Sequence, residues 1–461
     1  MNKRKFLSIL ILAGILNFSF LPLNAMAWWQ KKILNAGISE YKFEYVNMNW
    51  WESFEDDLLK TYITKAIEQN NDLKIATLKV KEYNLLTRMQ FANQLPSVTT
   101  MPMMGTQKKV DKSYYGGSFT FPLLVNYEAD IFLKNRDKTR VAKKQFEASK
   151  FDERAAYISI SSAVASTYFN IVRLDKLIEI QKEIIDYKSQ ICNLMKKRAE
   201  AGLSSTSDTL IADKALVWAE TDLIDFEKNR TILLNQLAVL TGESPANIEE
   251  IQRITYDDIK FNQGIPNEIP SSVIVKRPDV LKAENQLEKA GLDIKIARKE
   301  LLPSLNIGGL LMFSASSLSG SLNWQNCLAA MGGGLTFPIF TGGQKITNLK
   351  LKKNYYEQIL QNYQKTNLVA IQEINDALSN LKLDDEKHKQ MLKKLEMEEQ
   401  DFGYSEKKFG QGTISYLDLI QYKENLLNMN KVVISSHTDK IIDYISLYKA
   451  TGSKIPTSDN L

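Results

Sequence analysis

The sequence predicts a mixed α and β fold in which a few long strands are joined to very long helices, the whole plan occurring twice. Three observations predict it. Asn135 to Ala201 (67 residues) and Gln344 to Phe402 (59 residues) contain neither Gly nor Pro. Residues 119–131 and 305–339 alternate apolar with polar or small side chains. Landmarks of the first half return 207 to 210 residues later.

The start of the chain is not part of the fold. Lys3, Arg4 and Lys5 precede a largely apolar run from Phe6 to Leu23, and Ala25-Met26-Ala27 gives small residues at the spacing a signal peptidase needs. This pattern predicts a cleaved secretory signal over residues 1–27, followed by an extended segment over 28–52. The formal charge is +5, and removal of three cations and no acids leaves 5 − 3 = +2. So weak a bias argues against a nucleic-acid partner. No Cys lies near the cleavage site, so lipid has no acceptor there. After residue 27 there is no uninterrupted apolar run of the roughly 20 residues a membrane helix needs. An exported chain of this kind stays soluble beyond the inner membrane or inserts as strands.

At about 1.5 Å per residue the two long helices would reach roughly 90–100 Å, far beyond the average globular helix. Ile371, Ile374, Leu378, Leu381, Asp385, His388, Leu392 and Leu395 follow 3-4 spacing in the second. In the first, Leu177, Ile184 and Ile191 recur every seven residues beside Ile171, Ile178, Ile185 and Cys192. A seven-residue period predicts left-handed coiled-coil packing. Asp385 and His388 interrupt the seam. His388 reads as a registry or solvated-face residue, because His437 is far away in sequence, and Asp384-Asp385 reads as a solvated face.

The strands follow a period of two. Phe119, Phe121, Leu123, Val125, Tyr127, Ala129 and Ile131 share one face, opposite Thr120, Asn126, Glu128 and Asp130. Leu305, Ile307, Gly309, Leu311 and Phe313 form a second such face, and Ala329, Met331, Gly333, Leu335, Phe337 and Ile339 a third. One apolar and one wet face suits a membrane strand, and Tyr114, Tyr115 and Trp324 stand near the loops as interfacial aromatics.

The duplication sets the architecture. Leu95-Pro96-Ser97-Val98 returns as Leu302-Pro303-Ser304-Leu305, Ile131-Phe132 as Ile339-Phe340, and Leu237, Thr241 and Gly242 as Leu447, Thr451 and Gly452. Each unit reads helix, strand, loop, strand, long helix, turn, shorter helix. The first spans residues 53–263 and the second 264–456, with a tail over 457–461. Four strands cannot close a barrel, and lipid does not tolerate open edges. Two copies would give eight strands and three would give twelve, and the strands do not decide between them.

The two turns match. Gly202-Leu203-Ser204-Ser205-Thr206-Ser207-Asp208 and Gly412-Thr413-Ile414-Ser415-Tyr416-Leu417-Asp418 each place an aspartate six residues after a glycine. Gly permits the left-handed conformation that ends a helix. Ser or Thr then caps the next helix, and Asp in its first turn complements the dipole. That accounts for both aspartates structurally. Repeated around a pore, either would also form an acidic ring that favours cations.

No phosphate-binding Gly loop, nucleophile elbow, metal-spaced His/Cys cluster or dinucleotide fingerprint is present, so the sequence predicts no enzyme and no cofactor. Cys192 precedes the first turn and Cys327 sits among the strands, too far apart on this plan for a disulfide.

Several segments carry a resemblance to a known family. Trp50-Trp51 with Phe54, Leu58 and Asn70-Asn71-Asp72-Leu73, the stretch from Ile269 to Leu305 (IPSSVIVKRPDVLKAENQLEKAGLDIKIARKELLPSL), FPIFTGGQ from Phe337 to Gln344, and GTISYLDLI from Gly412 to Ile420 resemble the TolC-like outer-membrane channel proteins. The stretch containing Arg277-Pro278-Asp279-Val280 is similar to the branch serving RND-type efflux pumps, although many members of that branch are lipoproteins and this chain has no N-terminal Cys. The resemblance implies a homotrimer with a 12-stranded β-barrel in the outer membrane and a helical tunnel in the periplasm. It implies a passive exit channel working with a periplasmic adaptor and an inner-membrane RND-type transporter. A constriction is then expected at the helix tips near Asp418, with Asp208, Gln421 and the aromatic Phe409. Ile414 stands where a basic residue can occur. Gly202, Leu203, Ser204, Gly412, Thr413 and Ile414 would dock the adaptor. A type I protein secretion channel is the same fold with a wider cargo. A soluble periplasmic coiled-coil scaffold is the remaining alternative, but it has no use for duplicated alternating strands.

Overall fold

The computed structural model describes residues 50–108, 115–246, 251–261, 264–321 and 323–452. The expected signal segment, Tyr114, most of the 28–52 segment and the 457–461 tail lie outside the described residues. The chain forms two compact units, and each draws on both halves of the sequence. One is built on Asn84–Ala142 with Lys295–Asn348, and the other includes Asn47–Tyr83, Lys143–Ile294 and Leu349–Leu461.

The helices are α1 (Asp57–Gln69), α2 (Asn71–Ala92), α3 (Lys134–Glu200), α4 (Thr206–Leu240), α5 (Pro278–Lys299), the short α6 (Leu318–Ser321), α7 (Gln344–Gly410) and α8 (Tyr416–Thr451). Both long helices, α3 and α7, have 67 residues. The Gly- and Pro-free run put the end of the second at Phe402, but α7 continues through Gly403 to Gly410. A lone helical Gly costs about 1 kcal/mol relative to Ala, which is too little to end so long a helix. An 18-residue window of α3 has a mean hydropathy of 1.2, enough by composition to cross a membrane, yet 67% of it is buried in the protein. It is the core helix of the bundle.

The first unit holds the sheet. Strands β1 (Ser97–Thr100) and β2 (Met103–Lys108) both pair antiparallel with β3 (Tyr115–Ala129), one against Leu123–Asn126 and the other against Tyr115–Thr120. They are two lengths of one edge strand. Pro102 stands between them, and without an N–H it cannot continue the ladder. β3 pairs with β4 (Ser304–Ala315), and β4 with β5 (Cys327–Thr336), all antiparallel. The ribbon is therefore four strands wide. Two expectations are corrected at strand ends. β3 stops at Ala129 because the Asp130 carboxylate accepts hydrogen bonds from the N–H groups of Asn135 (3.0 Å) and Arg136 (2.8 Å), capping α3 and leaving Ile131 exposed in the turn. β5 stops at Thr336, and Phe337, Ile339 and Phe340 beyond it are exposed.

The second unit is helical. Its core gathers Trp50, Trp51, Phe54, Tyr157, Tyr168, Phe169, Ile441, Tyr444 and Tyr448. The Asp56 carboxylate caps α1 through the N–H groups of Leu58 and Leu59 and also accepts from the Tyr168 hydroxyl at 2.8 Å. Toward the turns the side-chain contacts order the helices α4–α3–α8–α7. Gln181 of α3 donates to the Ala219 carbonyl of α4, Lys188 of α3 pairs with Glu424 of α8, and Lys440 of α8 pairs with Asp385 of α7. α4 and α7 are thus the outer members. Each carries apolar side chains with no cover: Leu210, Val217, Trp218 and Ile224 on α4, and Leu368, Leu383, Met397 and Tyr404 on α7.

Candidate functional site: the helix tips

Each long helix ends the same way. Gly202 and Gly412 have φ of +74° and +72°, the left-handed region open to Gly. Leu203 N–H donates to Arg198 O (2.8 Å) and Gly202 N–H to Ala199 O (3.0 Å); Thr413 N–H donates to Lys408 O and Gly412 N–H to Phe409 O, both at 2.9 Å. This paired return satisfies two of the orphan carbonyls at a helix end. Ser205 and Ser415 then cap α4 and α8. Asp208 N–H donates to Ser205 Oγ (3.1 Å) and Ser205 N–H to Asp208 Oδ2 (3.0 Å). Ser415 N–H and Oγ donate to Asp418 Oδ2 at 2.9 and 2.7 Å. Both aspartates are capping-box members. The hydrogen bonds from Ser415 hold the Asp418 carboxyl below the usual aspartate range, and those from Ser205 do the same for Asp208. Both stay ionised at neutral pH.

The residues read from the sequence divide between the two tips. Gly202, Leu203, Ser204 and Asp208 form the first, with Leu203 exposed and Ser204 Oγ directed to Met195 O at 3.4 Å. Phe409, Gly412, Thr413, Ile414 and Asp418 form the second. The Phe409 and Tyr416 rings lie 5.8 Å apart, Thr413 Oγ1 donates to Lys408 O (2.8 Å), and Ile414 is half-buried. Gln421 lies along its own helix, its amide donating to Asn425 Oδ1 at 3.3 Å. A link the sequence did not reveal joins the two hairpins at this level. The Tyr416 hydroxyl donates to Gln190 Oε1 at 2.7 Å across 226 residues of chain. Tyr416 stands inside the GTISYLDLI stretch, so its position was on view although its partner was not.

Farther along the helices the solvated-face readings are corrected. Asp385 is not on a solvated face: it pairs with Lys389 (2.7 Å) and, across the helix pair, with Lys440 (2.6 Å). His388 and His437, distant in sequence, lie with ring centroids 5.3 Å apart and planes tilted by 31°. His388 Nδ1 and Ser436 Oγ lie 2.9 Å apart, as do His437 Nδ1 and the Tyr256 hydroxyl. Hairpin geometry, not spacing, brings them together. Burial, with the nearby charges of His388 and Lys440, lowers the His437 pKa to about 4; burial also lowers that of His388. A histidine whose folded pKa is depressed contributes stability that is complete above its unfolded value near 6.5. That stability is lost as pH falls from there toward about 4. Thermal unfolding followed from pH 7 to 4 should show a fall corresponding to about 2–3 kcal/mol, and His437→Gln should remove most of it. An equal acid sensitivity in the variant would clear His437 of that role. Cys192 and Cys327 are free thiols, and the Cys192 Sγ donates to Asp213 Oδ1 at 2.6 Å.

Comparison with known proteins gives a consistent result. The family model described as outer membrane efflux protein matches residues 62–243 and 269–453. The chain is 26% identical over 432 residues to the cation efflux system protein CusC of Escherichia coli O157:H7, covering 92% of each chain. It is 27% identical over 336 residues to toxin and drug export protein A of Aggregatibacter actinomycetemcomitans, covering 72% of each. The fold is similar to the crystal structure of the Campylobacter jejuni CmeC outer membrane channel, with a TM-score of 0.81 at 24% identity and 92% of each chain covered.

Proposed function

The chain belongs to the outer membrane efflux protein family, TolC-like exit channels of the outer membrane and not enzymes, and from that membership we propose that three copies close into one passive duct for small molecules. The observation that carries this reading is that the sheet has two unlike open edges, β1/β2 on one side and β5 on the other. The helical unit repeats the arrangement with the uncovered stripes of α4 and α7. Surfaces that differ join head to tail, and a rotation that closes gives a ring. An open edge is not viable in lipid. Four strands per copy make twelve in a trimer, an even number above the minimum of eight. The family resemblance selects three copies over two.

In such a ring the two Gly-centred turns of each copy form the periplasmic end. Three Asp418 carboxylates there, with Asp208, Phe409 and Gln421 close in sequence to the turns, narrow the passage and favour cations. Gly202, Leu203, Ser204, Gly412, Thr413 and Ile414 present the surface for a periplasmic adaptor, which joins the duct to an inner-membrane RND-type transporter. The duplicated unit supplies two such hairpins per copy, with the repeat boundary near residue 263. The pump upstream selects the cargo; similar proteins carry names as different as a cation efflux system protein and a toxin and drug export protein.

Single-channel recording in planar bilayers tests the reading. The mature protein should open small, cation-selective channels. Asp418→Asn keeps an oxygen that can accept the cap hydrogen bonds and removes the charge. Loss of cation preference with an unchanged fold places Asp418 in the constriction. Unchanged selectivity makes it a capping residue alone, and failure of well-folded protein to insert overturns the duct.

A further inference from the structure

Resting on the duct reading, the contacts between α3 and α8 bear on how the hairpins can move. Three polar pairs join α3 to α8. Arg173 Nη1 meets Asp439 Oδ1 at 3.1 Å, Lys431 Nζ donates to Gln181 Oε1 at 2.9 Å, and Lys188 Nζ meets Glu424 Oε1 at 2.8 Å. Along α3 these positions step by eight and then seven residues. Along α8 they step by the same eight and seven in the opposite direction. Such steps keep side chains on one face of a helix, so the three pairs belong to one antiparallel interface in one register. A second line beside it steps by seven on both helices, through Glu183–Lys423 (3.6 Å) and Gln190–Tyr416 (2.7 Å).

The central members are sheltered. Gln181 is 1% exposed, and its amide N–H donates to the Ala219 carbonyl of α4 at 2.8 Å. Lys431 Nζ also stands 5.8 Å from the Phe226 ring centroid. The Lys188 and Glu424 side chains keep 17% and 16% of their surface exposed. Leu174, Leu177, Ile184, Leu427 and Ile434 fill the apolar positions around them. In such a seam apolar packing supplies attraction but tolerates a slip of one heptad, and buried polar residues are what fix register.

The two possible slips can be read off the positions. One brings Lys188 opposite Lys431. The other brings Lys431 opposite Leu174 and Gln181 opposite Glu424. Either leaves a sheltered ammonium without a partner, the kind of mismatch that specifies against an alternative. We infer that Lys188–Glu424, Gln181–Lys431 and Arg173–Asp439 form a register lock, so that α8 does not slide along α3 and the tip opens by pivoting beyond the Lys188–Glu424 pair. The segment left free to pivot carries Tyr416–Gln190 and Asp418.

Charge reversal tests the lock. Lys188→Glu faces Glu424 with a second carboxylate, and in planar bilayers the fraction of time open should rise about tenfold, the factor that corresponds to about 1.4 kcal/mol. Lys188→Glu with Glu424→Lys restores the attraction in reverse and should return the open fraction to within about twofold of wild type, the recovery expected when the coupling between two contacting sites is intact. A role limited to folding would lower the yield of folded oligomer and leave the open fraction of the folded single variant at the wild-type value. If the reversal variant is not recovered as a folded oligomer, Lys188→Gln removes the attraction without adding repulsion and should give a smaller rise. A single variant that gates like wild type, or a double variant as open as the single, overturns the lock. Failure of the wild type to conduct counts against the duct reading instead.

Discussion

Phe54→Ala should destabilise the helical unit by about 3–5 kcal/mol, the range for deleting a buried aromatic ring. Phe54 is 2% exposed and stands where four segments meet. Its ring centroid is 4.9 Å from Phe169 of α3, 5.3 Å from Phe261 near the end of the first repeat, 6.3 Å from Tyr444 of α8 and 6.0 Å from Trp50. Trp50 in turn lies 4.7 Å from Tyr448. Such contacts add to the transfer of apolar area from water, because tilted and edge-on rings align their quadrupoles. The expected result is a marked fall in the urea midpoint of the detergent-solubilised protein. Phe54→Leu keeps most of the volume and should cost less than about 2 kcal/mol. If Phe54→Leu unfolds with the wild type while Phe54→Ala falls, the ring contacts contribute nothing beyond volume.

How much of this was legible in the sequence depended on how local the cause was. The two long helices declared themselves through the absence of breakers, and the turns through Gly202 and Gly412 with Ser and Asp at capping distance, all within one turn of the chain. The end of α7 did not, because Gly403 is a breaker by type and lies in open space where helix continuity outweighs it. β3 was legible by alternation, yet β1 and β2 were not singled out. They are short, and Val98, Met101, Met103 and Met104 are exposed in and between them, so no buried face imposed a period of two. Pairings between helices were beyond sequence reasoning altogether. Tyr416 with Gln190, His388 with His437 and Asp385 with Lys440 are set by the register of antiparallel helices. A one-residue change in that register would give different partners from the same sequence.

Gly242→Ala should lower stability by about 2–5 kcal/mol, beyond the same change at the tips, and the comparison separates two costs. All three glycines end a helix at positive φ: Gly202 at +74°, Gly412 at +72° and Gly242 at +76°. A side chain in that region costs about 1–2 kcal/mol wherever it stands. At Gly202 and Gly412 a Cβ would meet nothing within 4 Å, so that cost is the whole of it. At Gly242 the new Cβ would stand 2.7 Å from the Gln69 carbonyl oxygen and 2.9 Å from its carbon. Those are main-chain atoms at the end of α1 and cannot swing aside. The joint is held from several directions. Asn70 Nδ2 donates to Leu240 O at 2.9 Å, Lys65 pairs with Glu243, and Glu243 N–H closes the helix end on Ala238 O at 2.8 Å. Relieving the clash therefore means parting α1 from α4, with an overpacking cost of about 1–3 kcal/mol on top of the backbone strain. Urea midpoints of the three alanine variants decide the matter. A drop at Gly242 no larger than at Gly202 or Gly412 would mean that Gln69 yields freely, and that the approach of α1 to α4 is not what reserves this position for glycine.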